Sequence, residues 1–360
     1  MKNKTVIWNF YPIDELNCAK SIGFDLFPGC EIRTDYYDKS KIDKNNCNIV
    51  LVDYFFHPNK FVRIKEDLSW ADLVIHYTTE VIYGPWTDYK KLILEYFNTD
   101  KFISVCNGIV DMKPNDKIYT DAQTFFTRMA DCVAPVLQQV KPKQKLFDAL
   151  LGKNDPCRTA VFKLLDTNKL LANTFVNYYE STADGNTTIY RSKDLDQYDE
   201  SNFNKGTIES VEQTKNGLTM SYSLPTAIYD NANYSIVTET VSPSETKDQI
   251  GRTPFITEKT TKCLLGGRIF VMFGPAGTMA KLKQYGYKTF SGIVNESYDN
   301  IEDNKQRYEE AFQQVIKLST LDPVKTYADM LEVLQHNQKT LLDNSIRLES
   351  LKDFLIPYIE

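Results

Sequence analysis

Three short runs of branched and aliphatic residues, Asn48 to Tyr54 (NIVLVDY), Asp72 to Tyr77 (DLVIHY) and Phe102 to Cys106 (FISVC), recur in the first third of the chain. Each run is continuous rather than alternating, the pattern of a strand buried on both faces. Such a strand needs a cover on each side, and the helical pattern Asp88 to Phe97 supplies one. Thr5 to Asn9 (TVIWN) reads as an opening strand. Strand, helix and strand at this spacing predict a parallel α/β sheet.

A second unit of the same kind begins near Pro142. Lys145 to Leu151 is apolar, and Pro156 opens a helical stretch, RTAVFKLLD, where proline fits the first turn. Phe175 to Tyr179 is a strand candidate, and from Ser181 to Tyr229 the chain turns polar with weak periodicity, a surface excursion or small insertion. Order returns with strand Tyr234 to Thr240, helix Glu258 to Leu265 and strand Ile269 to Phe273. The turn Gly274-Pro-Ala-Gly277 and helices Met279 to Gln284 and Asn304 to Lys317 follow. Over the final forty residues Tyr327, Leu331, Leu334, Leu341, Leu348, Leu351 and Leu355 recur near helical spacing, which predicts a long amphipathic helix. At 360 residues the chain has room for about two domains. The expected organisation is an N-terminal Rossmann-like domain (1–144), a second α/β domain (145–320, with the polar excursion 181–229) and a helical segment (321–360).

Charge and cysteine usage exclude several classes. Lys and Arg number 42 against 48 Asp and Glu, a formal charge of −6, too acidic for a general nucleic-acid coat. Nothing approaches the roughly 18 uninterrupted apolar residues of a spanning helix, and the N-terminal apolar stretch is too short for a signal peptide. A cytoplasmic location is expected. The seven cysteines are scattered without a CxxC pair, which excludes a zinc ribbon and argues against a disulfide framework.

There is no GxGxxG after a strand, no GxxxxGK[ST], no HExxH and no GxSxG. His57, His76 and His336 lie far apart, so no metal site is expected. The informative residues concentrate between Thr253 and Asp303. Thr257-Glu258-Lys259 stands at a helix start, where the acid suits the helix dipole and the lysine opposes it. A phosphate at that end would account for the lysine. The turn at Gly274 brings further backbone N–H groups to the same edge. Together they point to a diphosphate and a sugar-like diol at the carboxyl edge of a parallel sheet.

Tyr234-Ser-Ile-Val-Thr-Glu239, Phe255-Ile-Thr-Glu258-Lys259 and Leu264-Leu-Gly-Gly-Arg-Ile-Phe-Val resemble, in that order, the donor-binding half of the α-1,3-fucosyltransferases, which are GT-B glycosyltransferases. Leu146 to Leu151, Asp155-Pro-Cys-Arg158 and Val161-Phe-Lys-Leu-Leu resemble the same family's strand, arginine and helix. The resemblance implies two Rossmann-like domains facing across a cleft. It also implies metal-independent, inverting transfer of a hexosyl or pentosyl group from a nucleotide-sugar, the substrate, to an acceptor hydroxyl. Arg158 and Lys259 would neutralise the diphosphate, Glu258 would accept from ribose hydroxyls and Glu239 would face the donor sugar, with Thr257 and Gly274 beside them. Where the family has asparagine after its glutamate this chain has Thr240-Val241, so the donor need not be fucose. The stretch from Tyr285 to Arg307 is similar to uncharacterised glycosyltransferase-like proteins of tailed phages and marine viruses, which would place the protein in a host cytoplasm.

The N-terminal half carries no such resemblance. Asp53, Glu80 and Asp111 follow strand-like runs and are the candidate bases for the acceptor. Tyr77, Tyr83 and Trp86 are aromatics able to stack on a sugar or a base, with Lys90 and Lys91 nearby. Asp194-Leu-Asp196 imitates a metal-binding DxD but lies in a charged tract and reads as surface. Net acidity favours a glycan or small-molecule acceptor. The alternatives are a hydroxymethylated base in phage DNA, reached by base flipping, and a non-catalytic protein that binds a sugar or nucleotide.

Overall fold

The structure, a computed structural model, describes residues 4–9, 30–33, 39–53, 67–77, 81–105, 108–111, 118–119, 143–153, 155–181, 187–192, 224–239, 254–343 and 345–358. The chain divides into two compact units, Met1–Thr124 with Asn344–Glu360, and Phe125–Asp343. Both are mixed α/β, and no described helix is long and apolar enough to cross a membrane.

The first unit is built on β1 (Thr5–Asn9), β2 (Glu31–Arg33), β3 (Cys47–Asp53), β4 (Leu73–Tyr77), β5 (Val81–Pro85), β6 (Phe102–Val105), β7 (Gly108–Asp111) and β8 (Ile118–Tyr119), with α1 (Trp86–Phe97) after β5. Six strands form one parallel sheet in the order β2-β1-β3-β4-β6-β8, while β5 and β7 pair separately. The continuous apolar runs behave as expected: β6 is buried throughout, and Ile49, Val50, Leu51 and Val52 are all buried.

The second unit carries β9 (Lys145–Lys153), α2 (Pro156–Thr167), β10 (Thr174–Ser181), β11 (Thr187–Arg191), α3 (Thr226–Asn231), β12 (Ala232–Thr238), α4 (Glu258–Leu265), β13 (Phe270–Phe273), α5 (Thr278–Gln284), α6 (Asn304–Ser319) and α7 (Pro323–Leu342). Its sheet runs β11-β10-β9-β12-β13, parallel except for β11, which lies antiparallel to β10. β11 falls inside the stretch read from sequence as a polar excursion, and α3 straddles its end. The core runs from Phe147 and Leu151 through Tyr234 and Phe273 to Phe312 and Val315. Beneath it Arg268 is fully buried, ion-paired to Asp148 at 2.7 Å and donating to Ser235 and to the Tyr229 and Ala232 carbonyls.

The C-terminal segment differs from the single long helix expected. α7 ends at Leu342, capped by Asp343, and a separate helix, Ser345–Leu355, follows. Tyr327, Leu334 and Leu341 of α7 enter the core of the second unit. Leu351 and Leu355 enter the core of the first, beside Ile7, Ile49, Ile75 and Ile103. One apolar periodicity thus serves two cores, through two helices rather than one.

Candidate functional site

The topology of the second unit selects a site. β9 leads through α2 to β10 on one side, while β12 pairs with β9 on the other. The sheet therefore changes winding direction between β9 and β12, and in open parallel sheets ligands bind outside the carboxyl ends of the strands at such a point. Two helices begin there, α2 after β9 and α4 after β12. Arg158 stands in the first turn of one and Lys259 in the first turn of the other.

At α2, Asp155 is the N-cap and Pro156 follows it, so the missing proline N–H costs no hydrogen bond. The Asp155 carboxylate accepts from the Arg158 N–H at 2.9 Å and pairs with Arg158 Nε at 3.0 Å. The Arg158 side chain is 11% exposed. Gly152 precedes it with φ +67, a left-handed conformation, and a Cβ there would lie 3.8 Å from an Arg158 guanidinium nitrogen. The register of β9 against β10 shifts between Asn177 and Tyr178, an irregularity at the strand end that delivers the chain to the site. Cys157, between cap and arginine, is buried, and that burial pushes its thiol up to about 12, leaving it inert as a nucleophile.

At α4, Thr257 is the N-cap and accepts from the Lys259 N–H. Glu239, one residue past β12, is fully buried beneath it. Its carboxylate accepts from the Thr257 N–H at 3.1 Å, the Thr257 hydroxyl at 2.5 Å and the Thr260 hydroxyl. Burial pushes the Glu239 carboxyl above its usual range, against the opposing Lys259 charge and these bonds. With both oxygens engaged on α4, Glu239 is placed to orient that helix start.

Lys259 Nζ pairs with Glu258 Oε1 at 2.9 Å and donates to the Thr257 hydroxyl at 3.2 Å. The cation at the helix start therefore has carboxylates of the protein around it, Glu258 directly and Glu239 through its field. Enclosure alone would raise the Glu258 carboxyl, but Lys259, and behind it Lys262, hold it below the ordinary carboxylate range. Both side chains of the pair remain accessible, Glu258 at 17% and Lys259 at 21%.

The turn after β13 lies on the same edge. A Cβ on Gly274 would meet the Thr278 hydroxyl at 3.2 Å and Glu239 Cβ at 3.8 Å, so a side chain there would crowd Thr278. The Gly274 carbonyl accepts from Arg307 Nε at 2.9 Å. The N–H groups of Met279 and Ala280 donate to the Asp299 carboxylate, and Gly277 N–H donates to the Asp299 carbonyl. The start of α5 is thus closed by Asp299, and the edge offers its open positions at α2 and α4.

Asp53 is the last residue of β3, in register with Tyr77 at the end of β4. It stands beside the first unit's own change of winding direction, between β1 and β3. Asp111 ends β7 in register with Pro85, next to Trp86 at the start of α1. Tyr83 lies in β5, and Lys90 and Lys91 are exposed on α1. Glu80, Asp194 and Asp196 lie outside the described residues. Among the described residues no three His, Cys, Asp or Glu side chains gather as a metal site. Asp155, Thr260, Asp299 and Arg307 complete the edge without having been singled out as site residues in the sequence. Asp155-Pro156 is a readable cap signal, whereas Thr260, Asp299 and Arg307 act across the fold. No family model matches the chain, and no curated protein is significantly similar to it.

Proposed function

We propose that the protein is a glycosyltransferase of the GT-B class, with the second unit as its donor domain and the first as its acceptor domain. One observation carries the reading: Arg158 and Lys259 occupy the first turns of two helices on either side of the β9/β12 switch point. A cation at the positive end of a helix is unfavourable by about 0.3–1 kcal/mol, and here the arrangement occurs twice. Each cation is held by an adjacent acid, Asp155 or Glu258, which fixes its position while leaving it accessible. A diphosphate bridging the two helix starts would meet both cations and the helix dipoles together.

In this reading Glu258 accepts the ribose hydroxyls, and Arg158 and Lys259 stabilise the charge that develops as the nucleoside diphosphate leaves. An acceptor hydroxyl gives its proton to a carboxylate base, for which Asp53 and Glu80 are the candidates, and attacks the anomeric carbon from the opposite face, which inverts configuration. The acceptor is a glycan or small molecule. A panel of nucleotide-sugars tests the proposal, read by binding and by release of nucleoside diphosphate. Binding of one donor, weakened by about 1.5–3 kcal/mol in Arg158→Ala and Lys259→Ala, is the expected result. Binding without release or transfer with any acceptor would make the protein a nucleotide-sugar receptor, and no binding at all would end the assignment.

A further inference from the structure

α4 presents three charged side chains on its accessible side, Glu258, Lys259 and Lys262, while Thr260, Thr261, Cys263, Leu264 and Leu265 are buried. Glu258 and Lys262 stand four residues apart, the spacing at which helical side chains meet and the favourable order for acid and base. Each acts on the other: the Glu258 charge supports the Lys262 ammonium, and the Lys262 charge lowers the Glu258 carboxyl. Glu258 is therefore bracketed by two lysines, one paired with it at 2.9 Å and one a turn behind.

A phosphate offers Lys259 a stronger partner than a single carboxylate. Once Lys259 turns to it, Glu258 loses its direct counter-ion in a partly enclosed place, where an unpaired charge is costly. We propose that Lys262 is the relief counter-ion of Glu258: it takes over that carboxylate when a bound diphosphate draws Lys259 away. This rests on the donor-site reading above and adds a positioning residue to it.

The surroundings give the exchange a titratable signature. Burial brings the Lys262 ammonium down to about 8, Glu258 supports it, and the like charge of Lys259 opposes it. Departure of Lys259 toward a phosphate removes the opposing charge, so binding would take up a proton above pH 8. The groups around Lys262 are set apart by type and partner. Cys263 beside it is pushed up to about 12 and Tyr229 of α3 well above its ordinary value. Asp148 and Glu239, on β9 and past β12, are carboxyls, and Asp148 is paired with Arg268. α7 meets α4 with the uncharged Gln338, whose amide donates to the Leu265 carbonyl.

The test is calorimetric titration of the full chain with GDP and UDP from pH 7 to 9.5, in buffers of different ionisation enthalpy. In the wild type, affinity should fall above pH 8 by about three- to tenfold in all, with net proton uptake. Lys262→Met should bind about three- to tenfold more weakly at pH 7 and show neither the decline nor the uptake. Lys262→Arg, charged throughout, should keep the neutral affinity without the decline, and far-UV circular dichroism checks that both variants fold. Wild-type pH dependence persisting in Lys262→Met would overturn the role of Lys262 while leaving the donor site standing. Failure of the wild type to bind either nucleotide would refute the donor reading and this inference with it.

Discussion

Glu239 holds Thr257 by two bonds at once, from its backbone N–H at 3.1 Å and its hydroxyl at 2.5 Å. The carboxylate at the end of β12 thereby fixes the first turn of α4, and with it the directions in which Glu258 and Lys259 leave the helix.

Removing that anchor should be felt in stability before chemistry. Glu239→Ala strips the Thr257 N–H and two hydroxyls of their acceptor and is expected to cost about 2–4 kcal/mol, measured by urea unfolding of the second unit. The pH dependence has a definite sign. Because burial raises the folded-state pKa of Glu239, its contribution is fully present below the unfolded-state value and is lost as pH rises through the folded one. The stability of the wild type relative to Glu239→Gln should therefore decline as pH rises above the ordinary carboxylate range. A rising difference would contradict the buried, desolvated carboxylate.

Arg268 and Asp148 form a buried pair away from the strand ends that carry the site. Arg268→Met leaves Asp148 enclosed without its counter-ion, at an expected cost of about 3–5 kcal/mol. Adding Asp148→Asn should restore part of the loss, because Asn removes the ionisable group that has lost its partner. A double-mutant cycle by chemical denaturation reads the coupling, and simple additivity would show that the pair is not energetically linked.

Two glycines should fail for different reasons. Gly152→Ala places a side chain in the left-handed region at φ +67, costing about 1–2 kcal/mol. Gly266 has an ordinary backbone, but a Cβ there would lie 2.9 Å from the Tyr229 ring. Gly266→Ala should then cost about 1–3 kcal/mol by overpacking, and shortening the ring in Tyr229→Leu should relieve part of it. Thermal unfolding of the three variants distinguishes strain from crowding.

The helix Ser345–Leu355 closes the first unit. Leu351→Ala or Leu355→Ala should each cost about 2–5 kcal/mol and act on that unit selectively. Hydrogen exchange would then show faster opening of β1, β3 and β4, with β9, β12 and β13 unchanged. Loss of protection in the second unit instead would contradict the assignment of this helix to the first.

If donor phosphate is neutralised by Arg158 and Lys259, transfer should proceed in EDTA. A strict requirement for Mn²⁺ or Mg²⁺ would shift attention to Asp194 and Asp196.

Much of the fold was legible because burial on both faces leaves a local mark. A strand covered on both sides must be apolar at successive positions, so β3, β4 and β6 announce themselves, and Asp155-Pro156 announces the start of α2. Strands that depend on a neighbour leave no such mark. β11, with the sequence TTIYR, exists because β10 pairs with it, and β2 is three residues long.

The candidate site divides along the same line. Residue type and local position marked Glu258 and Lys259, since a helix start and a cation within it are properties of a few consecutive residues, while Arg158 was marked by the family resemblance of its segment. Only the tertiary structure decided that β12 joins β9 opposite β10, which brings the starts of α2 and α4 to a common edge. Only it sent Glu239 beneath Thr257 and Thr260, closed the start of α5 with Asp299, and divided one terminal periodicity between two cores. Each of these rests on contacts between residues far apart in the chain, and periodicity records which face of an element is buried without recording what it is buried against.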